Sequence, residues 1–240
     1  MIVLDVALLI VGAFVAAAVS GSAGFGGALL LLPLLTTVVG AEQAVPLLTV
    51  AQLVGNLSRV GFGVRSIAWR PVGLFLIGAI PASVTGSLLF VSLPTGLLTR
   101  SIGVGVLAFA VLKYFRILTF HPSNRLLLGG GALTGFLSGL IGSAGPLGAA
   151  VFLSLGLPPV AYVASEATTA LAMHAVKTVV YGTTLTLDGS FWGLAAILGA
   201  TMVAGTWVAN RFLRRVSVKG FERYVLVLLA TISIYLIIVG

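Results

Sequence analysis

Cysteine is missing from all 240 residues. That excludes a disulfide framework, a thiolate metal site and thiol chemistry, and it leaves the redox compartment unmarked. Charge is scarce too: 8% of residues are charged and five are acidic, whereas a soluble domain is typically about a quarter charged. No nucleotide-binding motif and no soluble domain is visible, so ATP drive within this chain is excluded. Nor does any cofactor motif or metal-ligand cluster appear. What is present is apolar: hydrophobic residues make up 59% of the chain and the mean hydropathy is +1.21. These values predict an all-α, polytopic membrane protein. The net charge of +8 then speaks to membrane orientation rather than to nucleic acid.

A full span needs roughly 20 apolar residues. The first half offers segments 2–20, 25–39, 44–62, 72–91 and 99–115; the second offers 126–141, 146–155, 159–181, 191–212 and 221–239. The first segment could pass for a signal peptide, but it carries Asp5 in place of a basic leader and is read as a retained part of the fold. The order of lengths recurs, with the second segment of each half short. The tetrapeptide Gly-Ser-Ala-Gly precedes both short segments, at Gly21 to Gly24 and at Gly142 to Gly145. Gly40 pairs with Gly156, and Gly78-Ala79 with Gly199-Ala200. Two membrane repeats are expected, residues 1–120 and 121–240, each of five helical segments.

Five segments per half is an odd number, so the halves should be inverted. Basic residues test this. With the N-terminus outside, and each short segment either crossing or closing a hairpin of the same parity, 11 of the 13 Lys and Arg fall at cytoplasmic ends. Only Arg100 and Lys177 are left over. Plasma (inner) membrane residence with both termini extracytoplasmic follows as an expectation. Ten residues of helix rise only about 15 Å, half of a bilayer core of roughly 30 Å. The Gly-Ser-Ala-Gly loops therefore either dip in as re-entrant turns or are covered by tilted neighbours. In both cases the open backbone must face protein or a water-filled cavity.

Glycine-interrupted apolar segments at matching points of two halves are the sequence mark of a transporter's substrate site. The first copy reads Gly21-Ser22-Ala23-Gly24-Phe25-Gly26, the second Gly142-Ser143-Ala144-Gly145, followed by Pro146, which suits a helix first turn. A helix start offers free N–H groups and positive potential, favouring anions. Close packing of small residues is the plainer alternative, and the duplication favours a site. The third segment of each half adds a polar stripe at helical spacing. One is Thr49, Gln52, Asn56 and Arg59; the other is Glu166, Thr169, His174 and Lys177. Ionisable residues within a span are costly and usually face a cavity or each other. Arg59 and Lys177 are expected to approach an anion from opposite sides. Glu166 and His174 are the candidates for proton coupling, His174 because imidazole titrates near neutral pH.

The stretch Gly-Ser-Ala-Gly-Phe-Gly-Gly leading to Pro33, then Ala44 to Asn56, with a second glycine-rich copy, resembles the TauE/SafE family. These are sulfite and organosulfur-anion exporters of two homologous halves, and the likeness covers essentially the whole chain. It implies a carrier of a sulfur oxyanion or sulfonate, with the lipid bilayer as its other partner and no nucleic acid. The expected site comprises Gly21 to Gly26, Gln52, Asn56, Arg59, Gly142 to Gly145, Thr169, His174 and Lys177. Two further readings stay open: a non-transporting assembly subunit, and an intramembrane serine hydrolase using Ser22 or Ser143 with His174. Duplicated serines beside a single His weigh against the hydrolase. Association into a homo-oligomer is left open.

Overall fold

The computed structural model describes residues 3–23, 27–115 and 120–211, together with 234, 237 and 238. Every regular element among them is helical. The order is α1 (Val3–Ala23), α2 (Gly27–Val39), α3 (Ala41–Gly63), α4 (Trp69–Ser92), α5 (Thr95–Tyr114), α6 (Asn124–Ile141), α7 (Gly145–Leu153), α8 (Pro159–Thr184) and α9 (Gly189–Arg211), with a single 3-10 turn over Val64–Ser66. All nine apolar segments expected up to residue 212 are present as helices; the tenth, 221–239, lies almost wholly outside the described residues. Among the described residues, four helices are long and apolar enough to cross a membrane: α1, α3, α4 and α9. The chain is an all-α, multi-pass membrane protein.

Small residues set the tightest contacts. On α6, Gly131, Gly135 and Gly139 lie against the backbone of Phe75, Ala79 and Ser83 of α4. In return, Gly78 and Gly86 of α4 lie against the backbone of Leu128 and Phe136 of α6. The absence of side chains there lets two backbones approach as membrane helices do when dispersion replaces the hydrophobic effect. The matched numbers rise together, so α4 and α6 run parallel. α1 and α9 repeat the arrangement, with Gly205 against Phe14 and Gly21 against Thr206 and Ala209.

α3 and α8 run antiparallel. Gly63 meets Val160 and Ala164 at one end, whereas Val45 and Lys177 both reach Gly142 towards the other. These directions settle the path of the short helices. α4, α6 and α8 all start at the end where α3 finishes, so α6 and α7 together form a helical hairpin that returns to its own side. α1, α3 and α9 start at the opposite end, so α1 and α2 form a second hairpin from that side. The expectation that left crossing and hairpin open resolves to hairpins.

The hairpin turns use glycine where the backbone demands it. Gly142 ends α6 with φ +82, a left-handed conformation that costs other L-residues roughly 1–2 kcal/mol. Gly40 and Gly156, paired in the sequence, follow the two short helices and also have positive φ. The two tetrapeptides are not alike in conformation, however. Gly21, Ser22 and Ala23 continue α1, whereas Gly142 breaks α6. Gly21 stays helical where α1 packs on α9: a Cβ there would lie 2.8 Å from that of Ala209. Residues 24–26 lie outside the described residues, and so does the expectation placed on Gly24, Phe25 and Gly26.

Candidate functional site

α3 and α8 cross at the centre, each presenting its polar stripe inward. Thr49, Gln52, Asn56 and Arg59 of α3 are buried, as are Glu166, Thr169, His174 and Lys177 of α8. Between them lies a small cavity of about 40 Å³. Gln52, Asn56 and Arg59 line it from α3, and Glu166, Thr169 and His174 from α8. The whole second tetrapeptide, Gly142 to Gly145, lines it too. From the other hairpin come Ser20 and Gly27.

Arg59 Nη1 donates to Glu166 Oε2 at 3.3 Å, and Nη2 donates to Asn56 Oδ1. Both charged side chains are more than nine-tenths buried, so this ion pair joins the two halves at the cavity wall. With Oδ1 committed to Arg59, Asn56 turns its Nδ2 outward from that bond without a partner. Gln52 Nε2, Thr134 Oγ1, Ser143 Oγ and His174 Nδ1 are likewise unpartnered, and all five residues line the cavity. A buried polar group without a hydrogen bond costs about 1–3 kcal/mol. Five such groups around one cavity could each hydrogen-bond a polar occupant.

The backbone cradle is narrower than expected. The N–H groups of Leu147 and Gly148 both return to the carbonyl of Ala144, and Pro146 has none to give. The first turn of α7 is therefore largely closed on itself. Side-chain amides and hydroxyls supply the outward donors, with the helix dipole behind them.

Lys177 sits elsewhere. It is fully buried and does not line the cavity. Its Nζ donates to Ser138 Oγ at 2.9 Å, to the Ser138 carbonyl at 3.1 Å and to the Gly142 carbonyl at 3.5 Å. These are carbonyls at the C-terminus of α6, where the helix dipole favours a cation. Gly21 lines a second cavity, described below, rather than this one. Of Ser22 and Ala23 only the helical backbone is described.

Thr134 and Ser138 of α6 line the cavity without having been singled out in the sequence. Set among Gly131, Gly135 and Gly139, they read as small packing residues. Their four-residue spacing, which places both hydroxyls on one face, was the available signal. Ser143 Oγ and His174 Nδ1 both lack partners, so the described residues contain no hydrogen-bonded pair of that serine and that nitrogen. No group of three or more His, Cys, Asp or Glu able to hold a metal occurs among the described residues.

A multi-pass helical bundle with opposed hairpins meeting at a buried cavity lined by polar side chains is an architecture suited to a membrane transporter. The family comparison agrees: the model of the sulfite exporter TauE/SafE family matches residues 8–236. The chain belongs to that family. No curated protein and no solved structure matches it.

Proposed function

We propose that the chain is a secondary transporter that moves a small anion, a sulfur oxyanion or sulfonate, across the plasma membrane. The observation that carries this reading is the convergence of five unpartnered polar groups and the Arg59 guanidinium on one cavity between the hairpins. Among the described residues, the carboxylate of Glu166 is the one acidic group in the lining. An incoming anion therefore competes with it for Arg59. An anion that takes over the guanidinium releases the Glu166 carboxyl to change protonation, and His174 faces the same space. These two side chains are the proposed route for proton coupling.

Alternating access rests on the proposed inverted repeats, residues 1–120 and 121–240. Exchanging α1 with α6, α2 with α7, α3 with α8 and α4 with α9 maps the main helix packings onto one another. α4 on α6 becomes α9 on α1, and α3 on α9 becomes α8 on α4. The exchange also relates Arg59, which shares a cavity lining with Gly21, to Lys177, which bonds the Gly142 carbonyl. Positive charge at the α3–α4 turn, Arg65 and Arg70, supports placing that end in the cytoplasm and the N-terminus outside.

Purified protein in sealed liposomes provides the test, with flux of sulfite, sulfate, thiosulfate and sulfonates measured in turn. Saturable flux of at least one of them is expected. No flux of any would remove the transport reading in favour of a non-transporting subunit.

A further inference from the structure

A second cavity, of about 210 Å³, lies beyond Arg59. Its walls are Gly21 of α1, Phe62 and Gly63 of α3, and Pro159, Val160, Val163 and Ala164 of α8. Phe62 and Val160 are 57% and 41% exposed, so this space opens at the end of the bundle where α3 finishes and α8 begins. Among the described residues, Arg59 alone belongs to both linings. Its partner Glu166 lines the central cavity, less than one turn of α8 from Val163 and Ala164.

The two spaces are thus stacked along the groove between α3 and α8, with the ion pair between them. Among the described residues, everything else in the outer wall is apolar or glycine, so the guanidinium is the one hydrogen-bonding side chain of that lining.

We infer that the outer cavity is the entrance vestibule of the site from the α3–α8 end, and that the Arg59–Glu166 pair is the gate between vestibule and site. This rests on the transport reading above. An arriving anion engages Arg59 from the vestibule side and competes with Glu166, so the ligand itself loosens the partition. The exchange keeps the buried guanidinium paired, and proton uptake by the released Glu166 carboxylate keeps that group from being left buried and charged.

The cysteine-free chain permits a direct test by single-cysteine labelling with a small, membrane-impermeant anionic methanethiosulfonate. Val163→Cys reports the vestibule and Ala170→Cys the central cavity. Both should be modified from the same membrane face, Ala170→Cys more slowly by about tenfold, in proportion to the fraction of time the gate is open. Adding Glu166→Gln should bring the Ala170→Cys rate close to that of Val163→Cys. Val160→Trp, at a half-exposed position that leaves the pair untouched, should obstruct the vestibule and slow Ala170→Cys instead. It decides the matter should the Gln variant fold poorly. Equal rates at the two cysteines without further substitution overturn the gate. So does an Ala170→Cys rate that responds to neither added change. The labelling needs no substrate, so absent flux in liposomes would defeat the transport reading while leaving these rates to judge the partition.

Discussion

The ammonium of Lys177 lies 2.9 Å from the hydroxyl of Ser138, 39 residues earlier in the chain, and holds the carbonyl end of α6 beside the Gly142 turn. A cation that reads in sequence as a ligand for an anion is used here to fix the hairpin that carries the site. Lys177→Met keeps the aliphatic stem but leaves the Ser138 and Gly142 acceptors without their donor. Hydrogen bonds to charged groups contribute about 1.5–3 kcal/mol, partly offset by relief of the ammonium's desolvation. The thermal midpoint in detergent should fall, and flux should fall with it. A variant with unchanged midpoint and abolished flux would instead make Lys177 a direct anion ligand.

Asn56 divides its two functions between two atoms, Oδ1 to Arg59 and Nδ2 to the cavity. Asn56→Asp preserves the first and replaces the second by an anionic oxygen. The Arg59 contact should strengthen and the fold should hold. Anion affinity should fall by at least about tenfold, since a like charge facing the ligand costs more than a lost hydrogen bond. Equilibrium binding or the concentration dependence of flux reads this directly.

The glycines of the second tetrapeptide separate fold from site. At Gly142 the φ of +82 is unsuited to a side chain, and a Cβ would sit 2.9 Å from Val45 Cγ2. Gly142→Ala should destabilise by roughly 1–2 kcal/mol from the backbone alone. At Gly145 a Cβ meets nothing within 4 Å, and the residue lines the cavity. Gly145→Leu should therefore keep the thermal midpoint and lose flux. The reverse pattern would move the site away from this turn.

Local pattern carried the helices into view, because apolar length and paired glycines are properties of neighbouring residues. Gly40, Gly142 and Gly156 sit at breaks for that reason. Contacts distant in sequence were hidden. Arg59 and Glu166 are 107 positions apart, and nothing in either stripe names the other as partner. Lys177 sits on the polar stripe of α8, which suggested an anion ligand opposite Arg59, but its length lets it reach α6 instead. Gly21 reads as a break because glycine weakens a helix; the close approach of α9, which only glycine permits at that point, overrides that preference.

Asp188 caps α9 from the exposed loop before it. Its Oδ1 accepts the Phe191 N–H at 2.9 Å, and the Ser190 hydroxyl donates to the same carboxylate. The Phe191 bond, then that of Ser190, favour the ionised form and hold the carboxyl below its ordinary 3.8. A depressed folded-state value means a contribution fully present above 3.8 and lost as pH falls through the lower one. Asp188→Ala should thus lower the thermal midpoint near neutral pH. The gap between parent and variant should close only below 3.8. A gap already closing near neutral pH would show that the cap does not rest on the ionised carboxylate.

Asp188 titrates too low to couple transport to protons near neutral pH, and the coupling candidates that line the cavity are Glu166 and His174. Glu166 is held by Arg59, and His174 presents an unpartnered Nδ1 to the same space. Anion flux by the parent should respond to an imposed pH gradient at fixed membrane potential. The double variant Glu166→Gln, His174→Ala removes both titratable groups from the cavity lining, with Gln keeping the size of the Glu166 side chain but not its charge. Its flux should persist at a reduced rate and ignore the gradient. Either single variant should keep part of the response if the two groups share the proton, and a single substitution that removes all of it identifies the carrier. A full response in the double variant would take proton coupling away from this cavity.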